Sequence, residues 1–325
     1  MTISMLYHRW SNQPVRIVLW FFLLIVLDFQ FFGNAVYADE VIVTRRVDLA
    51  DWQFDPALMM NLALVVWLYA RGLARLRESS QTRVSFGKVN ILGFSVGLLI
   101  LIGCLVSPLD PLSSQLASAH MVQHMTIMTV AAPLVAFGAP GLLLGLGLPP
   151  RGRLVSCRAR RFFRSAIGRP DKSLFGCWII YALVMWTWHF PMFYESAMRD
   201  PLIHDLQHLS FFLAALLFWQ PIVDPFYRPK QNKGAAVFYL FTTTLHATIL
   251  GVFMTVAPTA WYPHYNGITE LWNLSVLEDQ QLAGLIMWMP ACAAYAICAI
   301  GLFSVAIGRD SNPSGQAAIL VCGRT

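Results

Sequence analysis

Seven long apolar segments constrain this chain more than any other feature of its sequence. A helix needs roughly 18–25 apolar residues to cross about 30 Å of hydrocarbon. Segments approaching or reaching that length lie near residues 56–70, 89–106, 116–138, 174–194, 202–223, 235–256 and 281–307. The 325 residues are 57% hydrophobic and only 12% charged, which is too apolar for a soluble domain. The sequence therefore predicts an all-α, polytopic bundle of seven transmembrane helices.

Lysine and arginine residues alternate between the connecting segments and so predict an orientation, because cytoplasmic loops carry the positive excess. The basic-rich segments hold five Lys and Arg residues in 71–88, eight in 139–173, three in 224–234 and two in 308–325. The segments that alternate with them hold none in 107–115, one in 195–201 and none in 257–278. The basic-poor loops are expected on the outer face and the C-terminus in the cytoplasm. The net charge of +6 is expected to contact anionic lipid. Nucleic acid is not an expected partner, because no soluble basic domain is present.

The N-terminus has the features of an export signal. Two arginines precede an apolar run over 17–27, and Val36-Tyr37-Ala38 resembles a cleavage site, so residues 1–38 are predicted to be a signal peptide or an uncleaved signal anchor. The remaining divisions are an outer segment 39–55, a membrane domain 56–307 and a cytoplasmic tail 308–325. Within the membrane domain, the run 141–148 is expected either along the inner interface or in a solvated loop.

Two HxxxH pairs, His120/His124 and His204/His208, open the third and fifth apolar segments. Residues four apart lie on one face of a helix, so each pair presents two imidazoles side by side. The predicted orientation places both pairs at the outer face. A single pair in a membrane helix is typical of a hydrogen bond to a neighbouring helix, whereas two pairs at the same face indicate a shared site.

Other residues are expected to join these pairs. His189 closes the fourth segment, His246 lies within the outer half of the sixth, and Asp279 opens the seventh, where it is expected either to bind a metal ion or to orient a ligand. Met128 follows His124 by one turn. Imidazole with thioether, in a chain without a CxxC motif, favours copper over oxygen-preferring metals. The aromatic residues near the outer ends are predicted to form an interfacial belt: Trp186, Trp188, Tyr194, Trp261, Tyr262 and Trp272.

Ordered motifs along residues 51–307 resemble the CtaG family of cytochrome c oxidase assembly factors. They are His120-Met121-Val122-Gln123-His124-Met125, Trp188-His189-Phe190-Pro191, His204-Asp205-Leu206-Gln207-His208, Phe218-Trp219-Gln220-Pro221, Tyr262-Pro263-His264-Tyr265 and Glu278-Asp279-Gln280-Gln281-Leu282. One departure is Ala131-Ala132-Pro133, where the family often has two prolines. His264 occupies the variable position of its motif.

The resemblance implies a non-enzymatic protein of the bacterial cytoplasmic membrane that helps to mature cytochrome c oxidase by supplying or positioning copper. Its partners would be oxidase subunits and a copper carrier on the outer, periplasmic face. The residues that the resemblance implies as functional are His120, His124, His189, His204, His208, His246 and Asp279.

Two alternatives remain open from the residues. A haem-binding or haem-transfer protein would pair axial histidines across helices, for example His124 with His208. A histidine-box oxidase with two irons also uses HxxxH pairs, although such enzymes carry their boxes on the cytoplasmic side and include adjacent histidines, which this chain lacks. A metalloprotease is excluded because no HExxH motif is present.

Overall fold

The computed structural model describes residues 45–78, 86–150, 152, 174–226 and 233–310, the last ten of these by backbone alone. Within those ranges the chain is helical and has no strands, as the sequence predicts. The proposed signal segment 1–38 lies outside the described residues, as does most of the basic connection 151–173.

The helices follow one another with short connections, and we number them in chain order. They are α1 Pro56–Glu78, α2 Lys88–Val106, α3 Leu109–Ser113, α4 Ala117–Phe137, α5 Pro140–Gly147, α6 Leu174–His189, α7 Pro191–Arg199, α8 Pro201–Val223, α9 Lys233–Val256 and α10 Val276–Asp310. Among the described residues, six helices are long and apolar enough to cross a membrane, and α6 with α7 makes a seventh, bent span. The chain is thus a polytopic membrane protein.

The fourth predicted span is broken where the sequence predicts one continuous helix. The helix axis bends by 72° between α6 and α7. Phe190 between them is extended, with φ −66° and ψ 132°, because the ring of the following proline disfavours helical geometry in the residue before it. Pro191 can then begin α7, where its missing N–H costs nothing. The bend carries α7 across the end of the bundle.

Helix α4 contains one wide turn, a π-helical stretch over Ile127–Ala131. Pro133, two residues after this stretch, lacks the N–H that a regular helix would use, and its ring would crowd the carbonyl four residues earlier, that of Thr129. A wide turn relieves that crowding, and such turns recur beside functional sites. Here it directly follows the turn that carries His124.

The segment after α4 is not a solvated loop, one of the two possibilities that the sequence left open. Residues 140–147 form the short helix α5, which is buried and packs along α1. Arg75 of α1 donates to the carbonyls of Leu146 (2.5 Å) and Leu148 (2.8 Å) at its end. These bonds satisfy carbonyls that a helix end leaves unpaired, which allows a short helix to stay buried.

Helices α9 and α10 pack closely because glycines face each other. A Cβ on Gly284 would lie 2.5 Å from Thr255 Oγ1 and 2.7 Å from the Gly251 carbonyl oxygen. Small residues at such contacts let backbones approach and gain dispersion energy, which holds membrane helices together. The contact fixes the start of α10, and with it Asp279.

We expect Gly284→Leu to destabilise the protein by about 3 kcal/mol or more, because a leucine side chain cannot enter this contact without separating α9 from α10. Gly103→Leu in α2 is the matched control, since a Cβ there meets no atom within 4 Å. Thermal unfolding of both variants in mild detergent measures the difference. Equal midpoints for the two would contradict the packing argument.

Candidate metal centre

One end of the bundle, formed by the connections 107–116, 190–200 and 257–275, carries the predicted site; we call it the histidine end. Helices α4, α8 and α10 begin there, and α6 and α9 end there. Because α4 and α8 run in the same direction from the same end, their two HxxxH pairs lie at equal depth.

The start of α4 is held by a carboxylate from another helix. Asp279 of α10, with no exposed surface, accepts the backbone N–H of Ala117 at 2.6 Å and that of Ser118 at 3.2 Å. It also accepts the Ser118 hydroxyl. The negative charge lies at the positive end of the α4 dipole. Asp279 thereby fixes the turn that carries His120.

The two pairs face each other across α4 and α8. Ring centroids are 4.1 Å apart for His120–His124 and 4.3 Å for His204–His208 within the pairs. Across the helices they are 5.4 Å for His120–His204 and 5.0 Å for His124–His208. Four imidazoles therefore form one contiguous cluster inside the bundle.

Three of these rings form a compact donor group. One ring nitrogen from each of His120, His124 and His208 lies within 4.8 Å of the others, and all three residues are buried. Both ring nitrogens of His120 and His124, and Nε2 of His208, lack a hydrogen-bond partner among the described residues. Buried polar atoms are costly to leave unpaired. Their convergence makes the three histidines a candidate metal site.

His189 lies beside this group at the end of α6. Its Nδ1 lies 2.6 Å from the Met185 carbonyl oxygen, to which it donates. This leaves the buried Nε2, which has no partner among the described residues, as an acceptor. A backbone bond of this kind sets the tautomer that metal-binding histidines use. The His189 and His124 rings pack against the same side chain, Phe211, with centroid distances of 6.1 and 4.6 Å.

The structure does not bring His246 to the triad. Its ring packs edge-on against Trp178, with centroids 5.3 Å apart, near the beginning of α6. His189 ends that helix, and the eleven intervening steps correspond to about 16 Å of rise. Both ring nitrogens of His246 lack partners among the described residues.

Asp279 and Met128 are near the triad without belonging to it. The compact group of three histidines does not include Asp279, whose oxygens are engaged by the start of α4. Met128 is buried in the apolar core, and its carbonyl accepts the Trp219 indole N–H at 2.9 Å. The structure gives Asp279 a role that the sequence did not predict: its oxygens accept hydrogen bonds from the start of α4 and from Ser118, and no hydrogen bond among the described residues joins it to an imidazole.

Three tyrosines, Tyr194, Tyr262 and Tyr265, lie over the histidine cluster. The sequence predicted a different location for two of them. Tyr194 and Tyr262, predicted in the aromatic belt, are buried, with rings stacked at 3.8 Å. Tyr194 also lies 5.3 Å from His120 between ring centroids, and its hydroxyl is 2.7 Å from that of Tyr265. The belt prediction fails for Tyr194 because the bend before α7 folds that helix inward over the site. It fails for Tyr262 because the connection between α9 and α10 packs inward, where Tyr262 stacks on Tyr194 and bonds to the His189 carbonyl. For Tyr262, its place in the motif Tyr262-Pro263-His264-Tyr265 was the available signal.

The tyrosines also tie the connections to the helices. Tyr262 donates to the His189 carbonyl at 3.0 Å and Tyr265 to that of Ser113 at 3.1 Å. Burial raises the pKa of Tyr262 and of Tyr265, so both hydroxyls stay protonated and serve as neutral donors at physiological pH.

A glutamine that the sequence did not single out also borders the site. Gln207 precedes His208 and is buried, and its Oε1 has no partner among the described residues. The Gln207 carboxamide and the Ser113 carbonyl lie beside the His120 ring without reaching hydrogen-bond geometry. Either oxygen is placed to accept a hydrogen bond from the His120 ring if that ring turns.

The fold and site together define a polytopic membrane protein with a buried polyhistidine centre. The chain belongs to the family of cytochrome c oxidase caa3 assembly factors (Caa3_CtaG), whose family model matches residues 67–307. This confirms the family resemblance, and the matched range contains every histidine described above.

Relatives with curated sequences are mycobacterial. The chain is 23% identical over 254 residues to an uncharacterized protein of Mycobacterium bovis and to one of Mycobacterium tuberculosis, with 74% of this chain and 37% of each relative covered. An uncharacterized protein of Mycobacterium leprae is 21% identical over 244 residues, or 73% of this chain and 36% of the relative. The chain thus spans little more than a third of these relatives. No solved structure matches it.

Proposed function

We propose that this protein binds copper as cargo at the triad His120, His124 and His208 and delivers it to cytochrome c oxidase during assembly. The observation that supports this most directly is the convergence of three buried imidazoles whose nitrogens lack partners among the described residues. The family supplies the context of oxidase assembly. The role is one of transfer, and no catalysis is proposed.

The donor set fits copper by its chemistry. Imidazole nitrogen suits copper, zinc and iron, whereas magnesium, calcium and manganese prefer oxygen. The buried carboxylate of Asp279 is engaged by the start of α4. Copper also binds such sites more tightly than the other divalent metals of its row, and it is a component of the oxidase that the family serves.

The same arrangement suits release of the ion. Three protein ligands leave an open position, which a closed four-ligand site would lack. His189 and His204 border the triad and offer further unpartnered nitrogens. Exchange of one imidazole for another would let the ion leave in steps, each replacing a bond as another breaks.

Elemental analysis of the purified wild-type protein, combined with an absorption spectrum, tests the proposal. We expect near-stoichiometric copper after loading with Cu(I) and no haem Soret band. A Soret band would support the haem alternative, and two irons per chain would support the histidine-box oxidase. Zinc alone, retained against excess copper, would contradict the copper assignment.

We propose further that the histidine end faces the outer side of the bacterial cytoplasmic membrane, from the arginine and lysine distribution. In a background lacking the six native cysteines, Glu270→Cys should react with a membrane-impermeant maleimide on intact cells. Lys88→Cys at the other end should react only after lysis. Both side chains are exposed. The reverse pattern would place the site in the cytoplasm and remove an outer-face carrier as copper source.

A further inference from the structure

The candidate copper triad is sealed from solvent. His120 is 0% exposed, His124 2% and His208 7%. Tyr194 and Tyr262, which cover the cluster, are each 1% exposed. A soluble electron donor therefore cannot touch an ion held in the triad, and an electron that changes the oxidation state of that ion must pass through the protein.

The three ligands leave the oxidation state of copper open. Thiolate and thioether ligands select Cu(I), whereas imidazole suits copper more generally. The triad consists of three imidazoles. Copper bound there can thus gain or lose an electron without a change of ligands, provided that the protein offers the electron a route.

Aromatic side chains lie in sequence from the triad outward. The ring centroids of His120 and Tyr194 are 5.3 Å apart, and those of Tyr194 and Tyr262 are 3.8 Å apart in a stacked pair. The Trp261 ring lies edge to face with that of Tyr262, with centroids 6.3 Å apart. Aromatic rings at such separations are in contact. We call Tyr194, Tyr262 and Trp261 the aromatic chain.

Hydrogen bonds hold the outer two members of the aromatic chain in place. The Tyr262 hydroxyl donates to the His189 carbonyl at 3.0 Å. The backbone N–H of Trp261 donates to Gln280 Oε1 at 2.5 Å. Fixed contacts matter for electron transfer, because tunnelling weakens steeply as the gap between two groups widens. The aromatic chain therefore shortens each gap between the triad and the surface and keeps it constant.

The aromatic chain ends at a surface cavity of about 570 Å³, which Trp261 helps to line. That volume is typical of sites for small molecules. Glu195 and Arg199 also line the cavity and offset each other in an ion pair at 3.1 Å, and Asp200 adds one negative charge. The cavity therefore favours a small electron donor that is neutral or positively charged.

We propose that the aromatic chain carries electrons between a small one-electron donor in the surface cavity and copper in the buried triad. This inference rests on the proposed copper function. One electron leaves the donor and reduces Cu(II) to Cu(I), so that the donor is oxidised by one electron; no bond forms or breaks, and no proton is transferred. The protein thereby sets the oxidation state of the copper while the ion stays bound.

The test follows the reduction of Cu(II) in the purified, loaded full-length protein after rapid mixing with hexaammineruthenium(II). This probe is a small cation that gives up one electron without binding the metal. Trp261→Phe keeps an aromatic ring at the cavity, whereas Trp261→Leu removes it, and both keep the backbone bond to Gln280. We expect the paramagnetic resonance signal of Cu(II) to decay several-fold more slowly in the Leu variant than in wild type, with the Phe variant near the wild-type rate.

Phe193→Leu is the matched control, because it removes a ring at the same end that packs against Trp188, outside the aromatic chain. It should keep the wild-type rate. Equal rates in Trp261→Phe and Trp261→Leu, or equal slowing by Phe193→Leu, would overturn the route. Wild-type protein that binds Cu(I) but not Cu(II) would also overturn it and leave the proposed function standing, whereas protein that binds neither ion would defeat the proposed function itself.

Discussion

Replacing His120 and His124 together by alanine is expected to remove copper binding from the purified protein. Two of three converging ligands are lost, and since losing even a supporting group around a metal site costs 10–100-fold in affinity, the combined loss should exceed roughly 1,000-fold. In cells we expect low oxidase activity with normal insertion of the protein. Equilibrium dialysis with Cu(I), together with oxidase assays on membranes, measures both effects.

His246→Ala is the matched control for this experiment. It removes the same chemical group from a half-buried position near Trp178, apart from the triad. We expect it to retain copper, so that the contrast separates loss of ligands from general damage to the bundle. If the double variant kept wild-type copper stoichiometry, the triad would not be the binding site. If His246→Ala lost copper instead, the centre would lie deeper along α6 and α9.

Asp279→Ala is expected to produce the largest loss of stability among single substitutions at the histidine end. The change leaves the backbone N–H groups of Ala117 and Ser118 buried without their acceptor and removes the charge at the start of α4. An unpaired buried donor costs about 1–3 kcal/mol, so the variant should lose about 2–4 kcal/mol of unfolding free energy. Thermal unfolding in mild detergent should show a drop of roughly 5 °C or more.

The substitution Asp279→Asn distinguishes a role of Asp279 in positioning α4 from a role as a metal ligand. Its carboxamide can still accept a hydrogen bond from the start of α4, but it is a much weaker metal ligand and carries no charge. If Asp279 positions α4, Asn should recover part of the lost stability and restore copper binding in parallel. If the Asp279→Asn variant had the wild-type melting temperature but bound no copper, the Asp279 carboxylate itself would be a ligand of the ion.

The buried tyrosines and Asp279 suggest why the centre is held rigidly. Tyr262 and Tyr265 bind the carbonyls of His189 and Ser113, and Asp279 holds the first turn of α4. The Tyr262 and Asp279 bonds each reach a helix that carries a site histidine, and the Tyr265 bond joins the connection between α9 and α10 to α3. Ligands held in this way are arranged before an ion arrives, which lowers the entropy cost of binding.

Much of the fold was determined by the sequence alone. Hydrocarbon thickness dictates helix length, so five of the seven apolar runs matched membrane helices to within about five residues at each end. Helix α1 continues eight residues past its predicted run, to Glu78. The exceptions arise from local chemistry. Phe190-Pro191 breaks the fourth span, and α5 is buried because Arg75 reaches its carbonyl end, a contact between segments about seventy residues apart.

The candidate site, like the fold, was determined partly by the sequence and partly by the tertiary structure. The four-residue spacing alone required each HxxxH pair to present two imidazoles on one face of a helix, since that follows from 3.6 residues per turn. Which faces meet depends on how α4 and α8 pack, and only the tertiary structure decided that His120, His124 and His208 converge while His246 turns to Trp178. It also assigned Asp279 to the start of α4 and placed Tyr194 and Tyr262 over the cluster. Those contacts join residues distant in sequence, whose approach depends on close helix packing that no local pattern encodes.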